Sequence, residues 1–365
     1  MKKINFINLR KENSTYFNQF KKHLSKSLKD SNFILGNDLE TFEKNLAKYL
    51  GVKYAISVSN GTIALYLALK SLKLNKNDEV ITVANSYLST VSSIIAAGAT
   101  PVLSDVNETL NICPIDLEKK ITKKTKVILP VHLTGNPSDM IAIKKIAKKY
   151  KLKIIEDCAQ AIGASINKKK VGNFGELGCF SFHPLKNLSG IGDGGAIVCN
   201  SKKIYNWLLL ARNNGHPSRD ECNLWSMNFR LDSFKAKILN EKLKKINNIN
   251  HVRNRNAQIY YKNLNHHKSI KLIKSKKKFY NVFHLMVIRV KKRSQLIKFL
   301  KSKKIETKIH YPKPVHKQRI GIKTFNTKLR NTEKYSKEIL SLPINQFLKS
   351  NEINYICRQI TKFYS

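Results

Sequence analysis

The chain has 365 residues, 42% of them hydrophobic, with 68 Lys and Arg against 24 Asp and Glu for a formal net charge of +44. That length can bury a sizeable core and fits one large and one small domain, while six cysteines without CxxC spacing or nearby histidines set aside a disulfide framework and a zinc site and point to a reduced, cytoplasmic setting. The lysines alternate with apolar residues, as in DMIAIKKIAKKYKLK (139–153), and so describe solvated helix faces; no nucleic-acid partner is expected, only a general attraction for anions such as a nucleotide diphosphate.

The start, MKKINFINLR, has no apolar core of signal-peptide length, and no run is long enough to span a bilayer, so no membrane partner is expected. Residues 1–50 read as a lead-in with two amphipathic helices, the second opening near Asp38 and stopped by Gly51. A strand at 54–59 turns through Asn60 and Gly61 into a helix at 62–74. The free N–H groups of such a turn favour a phosphate, which makes Gly61 and Thr62 either an anion cradle or an ordinary helix cap. A strand at 79–83 leads to a helix opening around Tyr87, then come strands at 100–106 and 127–132 with a helix at 116–121 between them. This alternation predicts an α/β fold with a mainly parallel sheet. His132 ends the last of these strands, on the side where open sheets bind substrate, and a helix at 140–150 follows.

The next stretch carries the chemistry. An apolar strand ends in Glu156 and Asp157, and a second strand at 179–182 runs through Pro184 into a glycine-rich loop that holds Lys186 between Phe182 and Gly190. Pyridoxal phosphate chemistry uses such a pair: a lysine amine bonds to the cofactor aldehyde, and a carboxylate pairs with the protonated ring nitrogen. On spacing alone, Asp157 is equally readable as a helix cap or a loop anchor. After a strand at 196–199, a polar loop at 211–225 and a long basic helix at 242–261, the C-terminal part reads as a strand at 281–290 and helices at 294–301 and 351–363.

The segments SNGTIAL (59–65), PVHLTGNPSDM (130–140), EDCAQAIGA (156–164), SFHPLKNLSGIGDGGAI (181–197) and NFRLD (228–232), with FILG (33–36), HYPKPVH (310–316) and SLPI (341–344), resemble the DegT/DnrJ/EryC1/StrS family of sugar aminotransferases. The resemblance implies a fold-type I pyridoxal-phosphate-dependent transferase, with a seven-stranded central sheet flanked by helices in residues 1–245 and a smaller α+β domain in residues 246–365. It implies that Tyr87 covers the cofactor ring, Gln160 lies beside the ring hydroxyl, and Ser181 binds the phosphate. By the same resemblance Asn228 reaches the phosphate of the other subunit in a homodimer with shared sites; an N-cap of the following helix is the competing reading. His310, Tyr311 and His316 fall in the substrate-side segment, while His183 and Asp193 read as supporting residues. Many family members carry Tyr where this chain has Thr134. A few relatives replace the lysine by histidine and act as sugar dehydratases, so Lys186 argues for amino transfer. The expected reaction moves an amino group from glutamate to a nucleotide-linked keto-sugar for surface polysaccharide or glycan. Alternatives are a cyclitol or other cyclic ketone as acceptor, a pyridoxal-phosphate-binding regulatory protein without catalysis, and a basic nucleic-acid-binding protein.

Overall fold

The computed structural model describes residues 3–365. Two helices, α1 (Leu9–Lys29) and α2 (Asn37–Leu50), precede the sheet. α2 places Leu39, Phe42, Leu46 and Leu50 on one face at helical spacing, and each of these buried side chains contributes roughly 1.5–3 kcal/mol. Packing therefore holds this helix, and Gly51 stops it in the left-handed region at φ 73°.

The strands and helices then alternate: β1 (Tyr54–Val58), α3 (Gly61–Ser71), β2 (Glu79–Val83), α4 (Leu88–Ala96), β3 (Thr100–Ser104), α5 (Pro114–Lys119), β4 (Thr125–Ile128), α6 (Met140–Lys149) and β5 (Lys153–Asp157). Past the short pair β6 (Ser165–Ile166) and β7 (Lys169–Lys170), β8 (Leu177–Ser181) and β9 (Gly195–Cys199) complete a seven-stranded sheet in the order β1-β9-β8-β5-β4-β2-β3. All neighbours are parallel except those of β9, which runs against β8 and β1. The two-residue period of the strands splits the core: Ala55, Phe180, Ala196 and Val198 pack toward α2, whereas Ile56, Val58, Cys179 and Ile197 pack on the opposite face. The carboxyl ends of β2, β5 and β8 all open on one edge, the position where such sheets hold ligands.

A buried ion pair ties the helical layer to the sheet. Glu43 Oε1 takes the Ser57 N–H at 2.6 Å and also Arg212 Nη1, at the end of α7 (Lys202–Ala211). Removing Arg212 leaves the carboxylate buried and unpaired, so Arg212→Met is expected to lower unfolding stability by about 3–5 kcal/mol. Urea melts check this, and Glu43→Gln added to that variant is expected to restore part of the loss.

The rest comprises α8 (Ser233–Leu243), α9 (Ile246–Leu264), β10 (Ile270–Leu272), β11 (Phe279–Tyr280), β12 (Met286–Val290), α10 (Arg293–Ser302), α11 (Arg319–Thr324), α12 (Arg330–Glu338), β13 (Ile339–Leu342) and α13 (Ser350–Tyr364). Strands β10, β12 and β13 form an antiparallel sheet with its own core, in which Tyr260, Leu296, Ile353 and Ile356 pack on Met286, Ile288 and Leu340.

Three expectations need correction. The helix expected at 242–261 is two helices that break at Lys244–Lys245, because Leu239 and Leu243 face the core under α2 while Ala257, Tyr260 and Leu264 face the second core. The strand expected at 281–290 starts only at Met286, because the loop after β4 draws the preceding residues off the sheet. The regular strands expected at 100–106 and 127–132 end at Ser104 and Ile128; beyond Ile128 the chain stays beside β5 only through an isolated bridge of Val131 to Asp157. Among the described residues, no helix is long and apolar enough to cross a membrane, and all six cysteines are free.

Candidate active site

Lys186 sits in a loop closed at its base by the Gly190 N–H bonding to the Phe182 carbonyl at 2.6 Å. Two buried polar side chains pin that loop. Asn187 donates to Asn250 Oδ1 at 2.8 Å and to the Val282 carbonyl at 3.1 Å, and Ser189 bonds Glu12, which also takes Lys242 Nζ at 3.0 Å. The Lys186 ammonium itself meets no protein acceptor among the described residues. Burial pulls its pKa down to about 8, against which the Asp157 carboxylate pulls it up.

Asp157 ends β5 with its backbone locked between Pro130 and His132: its N–H donates to the Pro130 carbonyl at 2.9 Å, and its carbonyl takes the His132 N–H at 3.0 Å. One carboxylate oxygen accepts the Ala159 N–H at 3.1 Å and the other the Thr90 hydroxyl at 2.9 Å. Thr90 thereby leaves its own lone pairs to Ser86, 2.7 Å away. Burial pushes the Asp157 carboxyl above its ordinary value, opposed by these two hydrogen bonds and by the charge of Lys186. Two donors on two oxygens leave lone pairs for one further donor.

The N-terminus of α3 faces the end of β8. Asn60 caps α3 by taking the Ile63 N–H, which leaves the N–H groups of Gly61 and Thr62 without intrahelical partners. A Cβ on Gly61 would come within 2.7 Å of Ser181 Cβ, so only glycine lets this turn approach the hydroxyl so closely. Tyr87, at the N-cap of α4, is 61% exposed, and its ring centre lies 6.1 Å from that of Tyr311. Gln160 accepts the Thr134 N–H at 2.8 Å and donates to the Tyr311 hydroxyl at 3.2 Å. Thr134 adopts φ 65°, a backbone strain that this hydrogen bond and burial hold in place. His310 is half-buried, stacked on Phe6 and bonded through Nδ1 to Ser341 Oγ at 2.9 Å; burial, and after it the Lys186 charge, lower its pKa to about 4.

Other expected residues lie elsewhere. His132 is fully buried: its Nδ1 accepts the Ser138 N–H at 2.9 Å, so Nε2 carries the proton and donates to Glu156 at 3.0 Å. Both nitrogens are committed, and the ring props the strand ends instead of facing substrate. His132, Glu156 and Cys158 offer ligand atoms within 4.8 Å of one another, but Glu156 is filled by His132 and the N–H groups of Gly172, Phe174 and Gly175. His316 is also buried, bonded to Glu333 at 3.1 Å in a satellite cluster around Val315, which leaves it inside the packing. Asn228 is exposed, and its side chain takes the Arg230 N–H; Asp232 holds the N-cap of α8, so the capping reading of Asn228 does not hold. Sequence reasoning missed Thr90, Asn187 and His284, whose partners lie far away along the chain; Thr90, three residues after Tyr87, was the one within reach of a helix-face argument.

These residues fit pyridoxal phosphate: an unbonded amine of lowered pKa, a buried carboxylate with an open lone pair, and a glycine turn with free N–H groups beside a hydroxyl. The lowered pKa has a measurable consequence. Only the neutral amine attacks an aldehyde, so the rate at which the cofactor-free protein takes up pyridoxal phosphate is expected to rise with pH through about 8 instead of the ordinary lysine value of 10.5. Stopped-flow absorbance between pH 6 and 10 reads the midpoint.

The sequence pattern of the DegT/DnrJ/EryC1/StrS aminotransferase family matches residues 15–361. The chain is 39% identical over 364 residues, 99% of each chain, to dTDP-3-amino-3,6-dideoxy-alpha-D-galactopyranose transaminase of Aneurinibacillus thermoaerophilus. It is 38% identical, over 93% of each chain, to a pleiotropic regulatory protein of Geobacillus stearothermophilus. The crystal structure of NtdA from Bacillus subtilis with bound cofactor PMP superposes with a TM-score of 0.91 at 30% identity, covering 98% of this chain and 86% of that one.

Proposed function

The chain belongs to the DegT/DnrJ/EryC1/StrS aminotransferase family, whose members work with pyridoxal phosphate, and we propose that it moves an amino group from glutamate to a nucleotide-linked keto-sugar in amino-sugar biosynthesis for surface polysaccharide or glycan. The observation that carries this reading is the free amine of Lys186 under the influence of the buried Asp157 carboxylate. When bound, pyridoxal phosphate supplies an aldehyde that takes up the amino group and a cationic ring that draws electrons from the carbon losing its proton.

The chain's own residues then have definite tasks. Asp157 holds a proton on the ring nitrogen through its open lone pair, while Thr90 and the Ala159 N–H keep the carboxylate oriented. Gly61 and Thr62, through their free N–H groups, and Ser181, through its hydroxyl, would hold the phosphate. Lys186 Nζ, neutral in a useful fraction near its pKa of about 8, takes a proton from the donor's carbon and returns one to the acceptor's carbon. Tyr87, whose ring is next to that of Tyr311, would cover the open face of the bound cofactor and keep water away, and Gln160 fixes Tyr311 at the rim.

We place Asn228 at the cofactor phosphate of a second subunit, in a homodimer with shared sites. Trp225 at 96% and Met227 at 58% exposure flank it, apolar area that a partner would cover. The six free cysteines favour the cytoplasm. The relative named a regulatory protein favours a second, non-catalytic reading, for which the Lys186–Asp157 pair would be unnecessary. Incubating the loaded protein with glutamate and UDP-, dTDP- and GDP-linked keto-sugars, followed by mass spectrometry, distinguishes the two. Equal amounts of 2-oxoglutarate and aminated sugar are expected; absence of both across the three nucleotides would contradict the proposal.

A further inference from the structure

Residues 282–285 leave the path of β12 because the loop after β4 holds them. The Val282 N–H donates to the Gly135 carbonyl and the Leu285 N–H to the Thr134 carbonyl, each at 3.1 Å. A Cβ on Gly135, itself at φ 93°, would come within 2.8 Å of the His284 backbone nitrogen. From the other side, Arg253 Nη1 reaches the carbonyls of Phe283 and His284. His284 is thus clamped on both sides into the wall beside Lys186.

Its tautomer follows from its neighbour. Asn187 spends its amide N–H groups on Asn250 Oδ1 and the Val282 carbonyl, so the atom it turns to His284 Nδ1, at 3.2 Å, is the oxygen. An amide oxygen only accepts; Nδ1 therefore carries the proton, and Nε2 keeps a bare lone pair with no partner among the described residues. Burial, and after it the positive charges of Lys186 and Arg253, oppose protonation, so the ring stays neutral. A neutral lone pair in a cleft of cationic groups accepts from a hydroxyl and has nothing to offer a phosphate oxygen.

We propose that His284 is a substrate-positioning residue whose Nε2 accepts a hydrogen bond from a hydroxyl of the sugar ring bound beside Lys186. This rests on the keto-sugar reading above, and the test separates the two. Unreactive sugar nucleotides (UDP-N-acetylglucosamine, dTDP-glucose and GDP-mannose) and the bare diphosphates UDP, dTDP and GDP are titrated calorimetrically into the pyridoxal-phosphate-loaded protein. His284→Asn keeps an N–H toward Asn187 and removes the Nε2 acceptor; it is expected to weaken the preferred sugar nucleotide about 10-fold, the loss of roughly one neutral hydrogen bond, and to leave the matching diphosphate within about 2-fold. His284→Gln, which carries an amide oxygen near the Nε2 position, is expected to recover part of that loss. The visible band of each loaded variant reports whether its site still forms. Equal weakening of sugar nucleotide and diphosphate, no weakening, or loss of the visible band in both variants would overturn the role of His284. Wild-type protein that binds no sugar nucleotide more tightly than its diphosphate would overturn the keto-sugar reading, and this inference with it.

Discussion

Lys186→Ala protein is expected to fold, to retain pyridoxal phosphate only weakly, and to transfer amino groups on the order of 10⁴-fold more slowly than the wild type. The fold survives because the lysine side chain bonds nothing: the loop is held by the Phe182–Gly190 backbone hydrogen bond, by Asn187 and by Ser189, and Lys186 contributes only its backbone N–H to the His183 carbonyl. The rate is expected to collapse because, in the proposed reaction, one amine both anchors the cofactor and carries the proton between carbons. His183 and His310 have pKa values lowered first by burial and then by the lysine charge, and His284 is uncharged for the same reasons. Single-turnover absorbance with glutamate measures the loss, and added ethylamine is expected to restore a small part of it. A variant within 10-fold of the wild type would remove Lys186 from the chemistry.

Asp157→Asn is expected to cost on the order of 10³ in kcat, the scale seen when a pre-aimed electrostatic contact is lost from a dry site. The shape is unchanged: an amide still accepts from the Ala159 N–H, and on its other arm donates to Thr90 Oγ, whose hydroxyl rotates away. What disappears is the negative charge that, in the proposed reaction, holds a proton on the ring nitrogen. The same substitution is expected to stabilise the cofactor-free protein. Burial raises the folded-state pKa of Asp157 above the unfolded value near 3.8, so its contribution to stability is full below that value and is lost as pH rises through the folded pKa, whereas an amide at this position loses nothing over that range. Urea midpoints of the cofactor-free proteins at pH 7 are therefore expected to rank Asp157→Asn above the wild type, while activity ranks the other way. A variant both less active and less stable would mean that Asp157 serves the fold and not the cofactor.

The parts of the site that were legible in the sequence are those whose signal is local. A strand of apolar residues ending in Asp157, a lysine between Phe182 and Gly190, and a glycine turn ahead of α3 each carry their evidence within a few residues, and the sheet brings them to one edge. His132 misled because a strand-end position sets where a residue sits but not where its ring points; the ring turns inward to Glu156. His316 misled in the same way, two prolines fixing its segment while Glu333, seventeen residues later, claimed its ring. His284 stayed invisible because its partner Asn187 lies 97 residues away and its own segment reads as an ordinary strand. The expected division at residues 245 and 246 remains our proposal for the domain boundary; the backbone breaks there between α8 and α9.

The most direct test of the amino-transfer account is the visible spectrum of purified protein loaded with pyridoxal phosphate, recorded before glutamate, after glutamate, and after a keto-sugar nucleotide is then added. The account predicts a visible band that glutamate bleaches with release of one 2-oxoglutarate per site, and that the keto-sugar restores. A protein that takes up no cofactor, or whose band glutamate leaves unchanged, would contradict it.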